Sequence, residues 1–589
     1  MSIVQTLTEG IVQRDMAKEG QALLNKWGQT GLLEGLTDDH QRSTMARLLE
    51  NQAKELLREA SSMGAGDVEG FAAVAFPIVR RVFAGLIAND LVSVQPMSLP
   101  SGLIFFLDFV YSPDLGGTAD AQNDRFGNAS GSSIYGTNKV GSGVIDGVGL
   151  IGSLGEGLSG PGRDGSTGYA YASPQTLANI TSSACSVGTN VAITALTEAQ
   201  KKQIKFDVDV LAETSANLLE IKIAESQFTN PDLDNLAAFN ISGSALTDID
   251  SGAGLTDGNA KLIRRLTSTD GTNISFFFVS EAAGALSFGV TNHAVAGASF
   301  LQVDHPTKDS VGEKTSGGGA LDSYTMLLEN NANIPEIDIK VDSTAITAQT
   351  KKLKAKWSPE LGQDLNAYHN LDAEVELTSI LSEQIALEID REILADLVNG
   401  ASAATYYWSR SPGLFVDRST GVELGATSAA PDFTGTVSEW YETLIETIND
   451  VSAQIHRKTL RGGANFVVCS PEVANILEFT SGFRANVTAD ADKGEIGAVN
   501  VGSLSRKFDV MVDPYFPRNV LLVGRKGNSF LESGYVYAPY VPLQTTPTIF
   551  GVEDFVPRKG VMTRYAKKMV RPDMYGLVIV RGLLGESGS

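Results

Sequence analysis

Residue types able to do chemistry are sparse in this sequence and poorly grouped. Gly155-Glu156-Gly157-Leu158-Ser159-Gly160 has the letters of a dinucleotide-binding turn, where glycines let the backbone approach a pyrophosphate at a helix N-terminus. Pro161 stands where that helix should start and no strand–turn–helix unit surrounds the motif, so it reads as a flexible loop. Asp248-Ile249-Asp250-Ser251-Gly252 opens like a calcium loop, but Ala253 takes the sixth position, which needs Gly. Asn259 takes the twelfth, which needs a bidentate Glu, so an Asp/Gly-rich turn is the better account. His40, His293, His305, His369 and His456 are scattered, with no i, i+4 pair and no cysteine neighbour, which argues against common zinc sites. Phosphate-cradling Gly-Lys-Ser/Thr and nucleophile-elbow Gly-x-Ser-x-Gly patterns do not occur. The sequence therefore nominates no catalytic, cofactor-binding or metal-binding residue and is expected not to be an enzyme.

The bulk composition agrees with a folded protein that works by contact. With 42% apolar and 20% charged residues the chain is globular and not disordered. At 589 residues it exceeds one ordinary core, so several domains are expected. Its 46 basic against 69 acidic residues give a net charge of −23, which makes DNA or an anionic membrane a weak direct partner. Two cysteines, Cys185 and Cys469, suit a reducing cytosol. The N-terminal stretch lacks the apolar core of a signal peptide, and the best apolar run, Leu103–Leu107, is strand-sized. Synthesis in the cytoplasm without membrane insertion is the expectation.

The elements that could position anything are clearest at the two ends. Met45, Leu48, Leu49, Ala53, Leu56 and Leu57 recur at helical spacing, after Leu23, Leu24, Trp27 and a break at Gly28 and Gly31. This predicts a small helical segment, either packed on the body or serving as a temporary interaction arm. The run Ala60–Gly66 follows it as accessible backbone. A helix is expected around Ile78–Ile87, then β-forming residues broken by Pro96 and Pro100. From 113 to 335 Gly, Ser, Thr, Asn and Asp dominate, with strand-like runs such as Ser275–Ser280, predicting a β-rich insertion.

Leu371–Asn399 reads as the longest helix, roughly 40 Å at about 1.5 Å per residue. Leu377, Ile380, Leu381, Ile385, Ile389, Ile393, Leu394 and Leu397 form its apolar face. Its carboxylates, among them Glu374 and Glu388, read as a solvated or intersubunit face. Gly400 stands where a left-handed C-terminal cap belongs. An α/β stretch over 436–542 follows, with Trp440–Arg457 helical, Asn465–Cys469 a strand and Ser470-Pro471-Glu472 a helix start. Strands at Val561–Tyr565 and Leu577–Val580 close the chain.

Several segments, in chain order, resemble the major capsid proteins of T-even-type tailed phages. They are Leu24-Asn25-Lys26-Trp27 with Leu49-Glu50-Asn51-Gln52, and Ile78-Val79-Arg80-Arg81 through Val94-Gln95-Pro96-Met97 and Pro100-Ser101-Gly102. Further on are Leu353-Lys354-Ala355, Glu360-Leu361-Gly362-Gln363-Asp364-Leu365 and Asp372-Ala373-Glu374 through Arg391-Glu392. Tyr537-Ala538-Pro539-Tyr540-Val541 and Thr563-Arg564-Tyr565 complete the set. The insertion does not visibly match.

The resemblance implies an α+β, Hong Kong phage-type capsid fold with a peripheral domain, an axial domain, an extended loop and a large β-rich insertion. It implies a precursor arm over 1–59, an N-terminal arm and the start of the peripheral domain over 60–112, and the loop with its insertion over 113–335. The peripheral domain and its spine helix would take 336–404, the axial domain 405–542, and strands returning to the peripheral domain 543–589. The family's maturation protease cuts after Glu in Leu-x-Glu, which Leu57-Arg58-Glu59 before Ala60 fits best; Leu32-Leu33-Glu34 and Leu48-Leu49-Glu50 fit in letters. The mature chain would then begin at Ala60. Partners so implied are further copies of the chain in hexamers, a vertex protein, a scaffold core, the maturation protease, the portal and decoration proteins, with packaged DNA touched only weakly. The virion capsid is the expected location. The alternatives are the pentamer-forming vertex paralogue of the same family and, from the Gly/Ser/Asn-rich region, a surface adhesin binding carbohydrate.

Overall fold

In a computed structural model the described residues are 16–34, 39–60, 86, 88–111, 173, 175–180, 184–207, 210–211, 216–242, 260–280, 301–308, 336–424, 433–459, 462–485, 499–527 and 533–583. The expected helix around Ile78–Ile87, the Gly155–Gly160 loop, the Asp248–Asn259 turn and His293 fall outside them. Helix α1 spans Met16–Gly28 and α2 Asp39–Ala60; a short α3 (Ala88–Leu91) leads into strands β1 (Ser93–Val94) and β2 (Ser101–Tyr111). Next come β3 (Gln175–Ile180), β4 (Cys185–Ala192), helix α4 (Glu198–Gln203), β5 (Asn217–Ala224) and β6 (Asn240–Ser242). They are followed by β7 (Ala260–Leu262), β8 (Ser268–Thr269), β9 (Asn273–Ser280) and β10 (Leu301–Pro306). The chain continues through β11 (Ile337–Thr347), β12 (Gln349–Lys356), α5 (Pro359–His369), α6 (Ala373–Gly400), β13 (Thr405–Ser409) and α7 (Val437–Thr459). Beyond these are β14 (Phe466–Cys469), α8 (Pro471–Glu478), β15 (Phe483–Ala485), β16 (Val499–Leu504), β17 (Phe508–Val512) and β18 (Val520–Gly524). The last are β19 (Tyr535–Thr545), β20 (Ile549–Phe550), β21 (Pro557–Met569) and β22 (Tyr575–Arg581). The mixture of helix and sheet agrees with the α+β expectation. Contacts divide the chain into one unit of Met1–Ile104 with Ser343–Ser589 and a second of Phe105–Asp342.

The first unit holds a seven-stranded mixed sheet in the order β13-β22-β18-β14-β17-β16-β15. Its central strands β14 and β18 are apolar on both faces, successive side chains pointing opposite ways into two cores. In β14, Val467 and Cys469 meet Trp440, Leu444, Ile448, Val451 and Ile455 of α7. Phe466 and Val468 turn to the other side and join the core that contains Ile385, Ile389 and Ile393 of α6. Ser470 caps α8 as its type and the following Pro471 predict, its hydroxyl accepting from Val473 N–H at 3.4 Å. The unit's second sheet runs β1-β19-β21-β12, with β20 on β21.

The helix expected over Leu371–Asn399 is α6, with Asp372 as its N-cap and Asn370, at φ 53, separating it from α5. Other expectations are corrected here. Gly400 is the last helical residue and not a left-handed cap; the nearest neighbour of a Cβ there would be the flexible end of Met569. Ile380, assigned to the apolar face, is exposed, because the buried row of the first turns is Thr378 and Ser382. Boundaries drawn at 542/543 cut across sheets. Tyr535–Val541, placed with the axial segment, pairs with β21 in the five-stranded sheet, while β22, placed with the peripheral strands, pairs with β18 and β13.

The second unit is β-rich. A β4-β5-β9-β7 sheet is buried on both faces by alternation: Leu219, Ile221, Phe276 and Phe278 pack with Val303 and Ile241 of the β3-β10-β6 sheet. Leu218, Phe277 and Val279 pack with Ile193, Ile204 and Ile263 on the other side. A bulge between Val187 and Asn190 accommodates buried Glu220, which accepts from Thr189 N–H at 3.1 Å and lies 3.4 Å from Lys222. A Cβ at Gly188 would collide with that carboxylate.

Candidate functional site

The helical segment at the N-terminus is built into the body. Trp27, Leu33, Met45, Ala46, Leu48 and Leu49 are buried in the core shared with Leu91, Val94, Tyr537 and Leu543. Each large side chain among them stabilises the docked state by about 1.5–3 kcal/mol relative to exposure. Asn51 Nδ2 donates to the carbonyls of Met97 at 3.0 Å and Tyr540 at 3.3 Å, pinning α2 beside β19. Within the arm, Glu50 accepts from Lys26 Nζ at 2.7 Å and Trp27 Nε1 at 3.2 Å. Burial opposes ionisation of Glu50, but these bonds and the lysine charge outweigh it and hold its carboxyl below the usual range. A cleft of about 250 Å³ lies between the arm and segment 96–102, lined by Leu23, Arg47, Met97 and Leu99 among others.

Leu57, Glu59 and Ala60, the residues of the expected cleavage, lie in the last turn of α2. Cleavage there requires that turn to unwind, as it would at Leu48-Leu49-Glu50 farther inside the same helix. Leu32-Leu33-Glu34 sits in a turn, with Leu33 buried. Residues 61–66 lie outside the described residues.

A second cluster joins the long helix to the five-stranded sheet. Glu388, Glu392 and Asp396 stand one turn apart on α6. Lys567 Nζ lies 2.7 Å from both Glu392 and Asp396, and Lys351 Nζ 3.1 Å from Glu388 and 3.5 Å from Glu392. Tyr535 donates to Asp396 at 2.8 Å and Tyr565 donates to Glu392. Nearer the helix start, Lys559 Nζ lies 2.6 Å from Glu374. Burial disfavours the charged form of Glu392, yet Lys567 and Tyr565 reverse that and keep it below the carboxylate range. Lys567 is raised: burial works against its charge, and Asp396 and Glu392 prevail. Burial, with Asp396 beside it, pushes the Tyr535 hydroxyl upward.

Glu388 is exposed, as a solvated face requires, yet pairs with Lys351 of the chain's own sheet; half-buried Glu374 is tied to that sheet through Lys559. The signal for the cluster was present: like charges at i, i+4 and i+8 repel unless cations intervene, and Lys351 and Lys567 supply them.

Other reactive groups do not converge. Cys185 and Cys469 are buried free thiols whose pKa burial pushes up to about 12, so they are inert. His305 is enclosed by Phe228 and Phe239, with its pKa lowered by burial. Among the described residues no group of three or more His, Cys, Asp or Glu could hold a metal, and no described helix is long and apolar enough to cross a membrane. What the surface does offer is apolar: Ile337, Ile339 and Val341 on β11 are exposed by 50%, 64% and 59%.

A helix braced on a sheet by ion pairs, a docked arm and an exposed apolar strand describe a structural protein that works through its surfaces. The chain belongs to the family described as Major capsid protein Gp23, whose model matches residues 68–231 and 232–585. Among relatives, the major capsid protein of Vibrio phage KVP40 is 29% identical over 335 residues, covering 55% of this chain and 62% of that one. That of Enterobacteria phage T4 is 32% identical over 243 residues, covering 39% of this chain and 44% of that one. The chain thus spans under two thirds of the length of each relative. Similar solved structures include the mature capsid of bacteriophage PhiM1, with TM-score 0.28 and 15% identity over 46% of this chain and 80% of that one. The capsid of Cyanophage P-SCSP1u gives TM-score 0.26 and 12% identity over 45% of this chain and 80% of that one.

Proposed function

We propose that this chain is the shell-building subunit of a tailed-phage head, assembling in many copies around packaged DNA. The observation that carries the reading is the family match, which runs from residue 68 to 585. In a cyclic ring one patch of each copy meets a different patch of the next, so a shell needs two dissimilar contact surfaces per copy. The exposed apolar row of β11 is suited to be one of them, since a two-stranded sheet such as β2–β11 does not bury such a row by itself. Many modest contacts then add to a stable shell by avidity. The ion cluster of α6 keeps the spine helix in register on its sheet while those contacts form.

The reading includes hexameric rings, removal of residues 1–59 by a maturation protease cutting after Glu59, and dealings with a vertex protein, scaffold core, portal and decoration proteins. Acidity of the chain, at −23, supports weak contact with the packaged DNA. Electron microscopy of the expressed chain, with and without residues 1–59, is the direct test. Six-fold rings, tubes or shells are expected; five-fold rings alone would favour the vertex role, and a monomer in both forms at high concentration would end the proposal. N-terminal sequencing of the virion protein tests the cut: a start other than Ala60 refutes it.

A further inference from the structure

We propose that the face of the five-stranded sheet turned away from α6 is a contact surface for the phosphate backbone of duplex DNA. The inference deepens the reading of the chain as a shell subunit around packaged DNA and rests on it. Residues paired across antiparallel strands share a face, and successive residues of a strand alternate between faces. Lys351, Leu353, Lys559, Val561 and Tyr565 therefore lie on the α6 side, where the two lysines meet its carboxylates. The register puts Lys352, Lys354 and Lys356 on the other side with Arg558 and Arg564 of β21, and Lys568 continues that row. Five of these six cations are exposed; Arg564 is half-buried, its guanidinium 5.3 Å from the centre of the Tyr540 ring. Among the described residues only Arg558 of the six has an ion-pair partner, Asp554 at 2.7 Å.

The whole chain carries 69 acidic against 46 basic residues, so this face locally reverses its charge. Such a surface attracts a polyanion, and its composition favours nucleic acid over an acidic protein. Protein–protein interfaces are depleted in lysine and rich in aromatic side chains, whereas surfaces that meet DNA are strongly positive. The spacing fits as well. Alternate residues of a strand stand about 6.6 Å apart, and two steps along one DNA strand rise about 6.8 Å. The three lysines of β12 can thus meet alternate phosphates of one strand. Negative charge elsewhere keeps the contact weak. At about 0.1 M salt, screening beyond about 10 Å hides the distant carboxylates but not a lysine set against a phosphate.

Fluorescence anisotropy of a labelled duplex of mixed sequence, titrated with the full chain at several salt concentrations, tests this. The logarithm of the binding constant should fall with the logarithm of salt by about 0.9 for each phosphate contact. Replacing the β12 lysines together (Lys352→Gln, Lys354→Gln and Lys356→Gln) should flatten that slope by about 2–3, and the matching arginine variant should keep it. Lys201→Gln, Lys202→Gln and Lys205→Gln together remove the same charge from the second unit and should leave the slope unchanged. Circular dichroism of every variant should match the parent, since the replaced side chains reach solvent. The proposal is overturned if the parent shows no binding at about 0.1 mM, the weak end of non-specific affinity. An equal loss in both glutamine variants, or a slope indifferent to the β12 replacement, overturns it too. So does tighter binding of a poly-glutamate peptide than of the duplex, which would make an acidic protein the partner. Electron microscopy separates this from the reading beneath it. The β12 glutamine variant should form rings or shells as the parent does; their loss in that variant alone would make these lysines subunit contacts and overturn the proposal. Rings absent from every form, with duplex binding intact, would instead sink the shell-subunit reading.

Discussion

The two sheets of the first unit both bury apolar side chains, but only one adds charge to them. The seven-stranded sheet is dry: Val467, Cys469, Val510 and Leu521 meet α7 and α8 on one face, and Phe466, Val468 and Leu522 are buried on the other. The five-stranded sheet shares an apolar core with α6 through Tyr537, Val561 and Tyr565 and adds to it Lys351, Lys559, Lys567 and the Tyr535 hydroxyl, while its outer strand β12 turns Lys352, Lys354 and Lys356 to solvent. Burial by shape is strong and non-directional. Ion pairs at half-buried positions give less energy, but they fix which turn of a helix lies over which strand. The difference teaches where this molecule is a rigid floor and where its register is set by charge.

The largest expected effect lies in the dry sheet. Ile448→Ala removes a fully buried side chain between α7 and the sheet and should destabilise by about 2–5 kcal/mol in denaturant titration. A loss below about 1 kcal/mol would mean that the site collapses around the cavity and is not rigidly packed.

Next comes the ion cluster. Lys567→Met should cost about 1–3 kcal/mol, reduced from a fully buried pair because Glu392 and Asp396 keep some solvent contact. Its pH dependence has a definite sign. Glu392 is held below its ordinary 4.5, so its contribution is present above that value and is lost as pH falls through the lowered one. Lys567 is held above its ordinary 10.5, so its contribution is present below that value and is lost as pH rises through the raised one. The variant should therefore lose stability across a plateau between those limits and converge with the parent in strong acid. A uniform loss at every pH would mean that packing, not charge, is what Lys567 supplies.

His305, in the second unit, separates the acid responses further. Its pKa is lowered from 6.5 by burial, so the unfolded chain takes up a proton first and stability drops as pH falls through about 6.5. His305→Gln should flatten the melting temperature between pH 7.5 and 5.5 without altering the lower-pH limb assigned to Glu392. If the slope survives the substitution, another group carries it.

The dry sheet was the more legible of the two in the sequence. Runs such as Asn465–Cys469 and Phe508–Val512, and the sequence Ser470-Pro471, declare strand and cap locally, because propensity and capping act over a few residues. Trp440–Arg457 likewise lies within the observed Val437–Thr459. The charged sheet was misread where partners are far apart in the chain. Glu374 looks solvated until Lys559 arrives from a strand far along the chain, and Glu388, which stays exposed, gains Lys351 from a strand before the helix. The arm's apolar stripe was visible, but nothing in it said whether that stripe would be left free or sit against Tyr537 and Leu543.

The smallest stability effect is expected at the outer strand of the charged sheet. β12 ends the described strand order, and an unpaired edge presents amide and carbonyl groups to any other strand. Lysines at every second position there repel a like strand and leave the fold's own contacts untouched. Replacing Lys352, Lys354 and Lys356 together by Thr should change unfolding free energy by less than about 1.5 kcal/mol, since each site is exposed. The same variant should aggregate at lower protein concentration in light scattering, because the deterrent is removed while the edge remains. If it stays soluble and instead loses several kcal/mol, the lysines brace the sheet, as Lys567 does, and the contrast between the floor and the charged surface narrows to the edge itself.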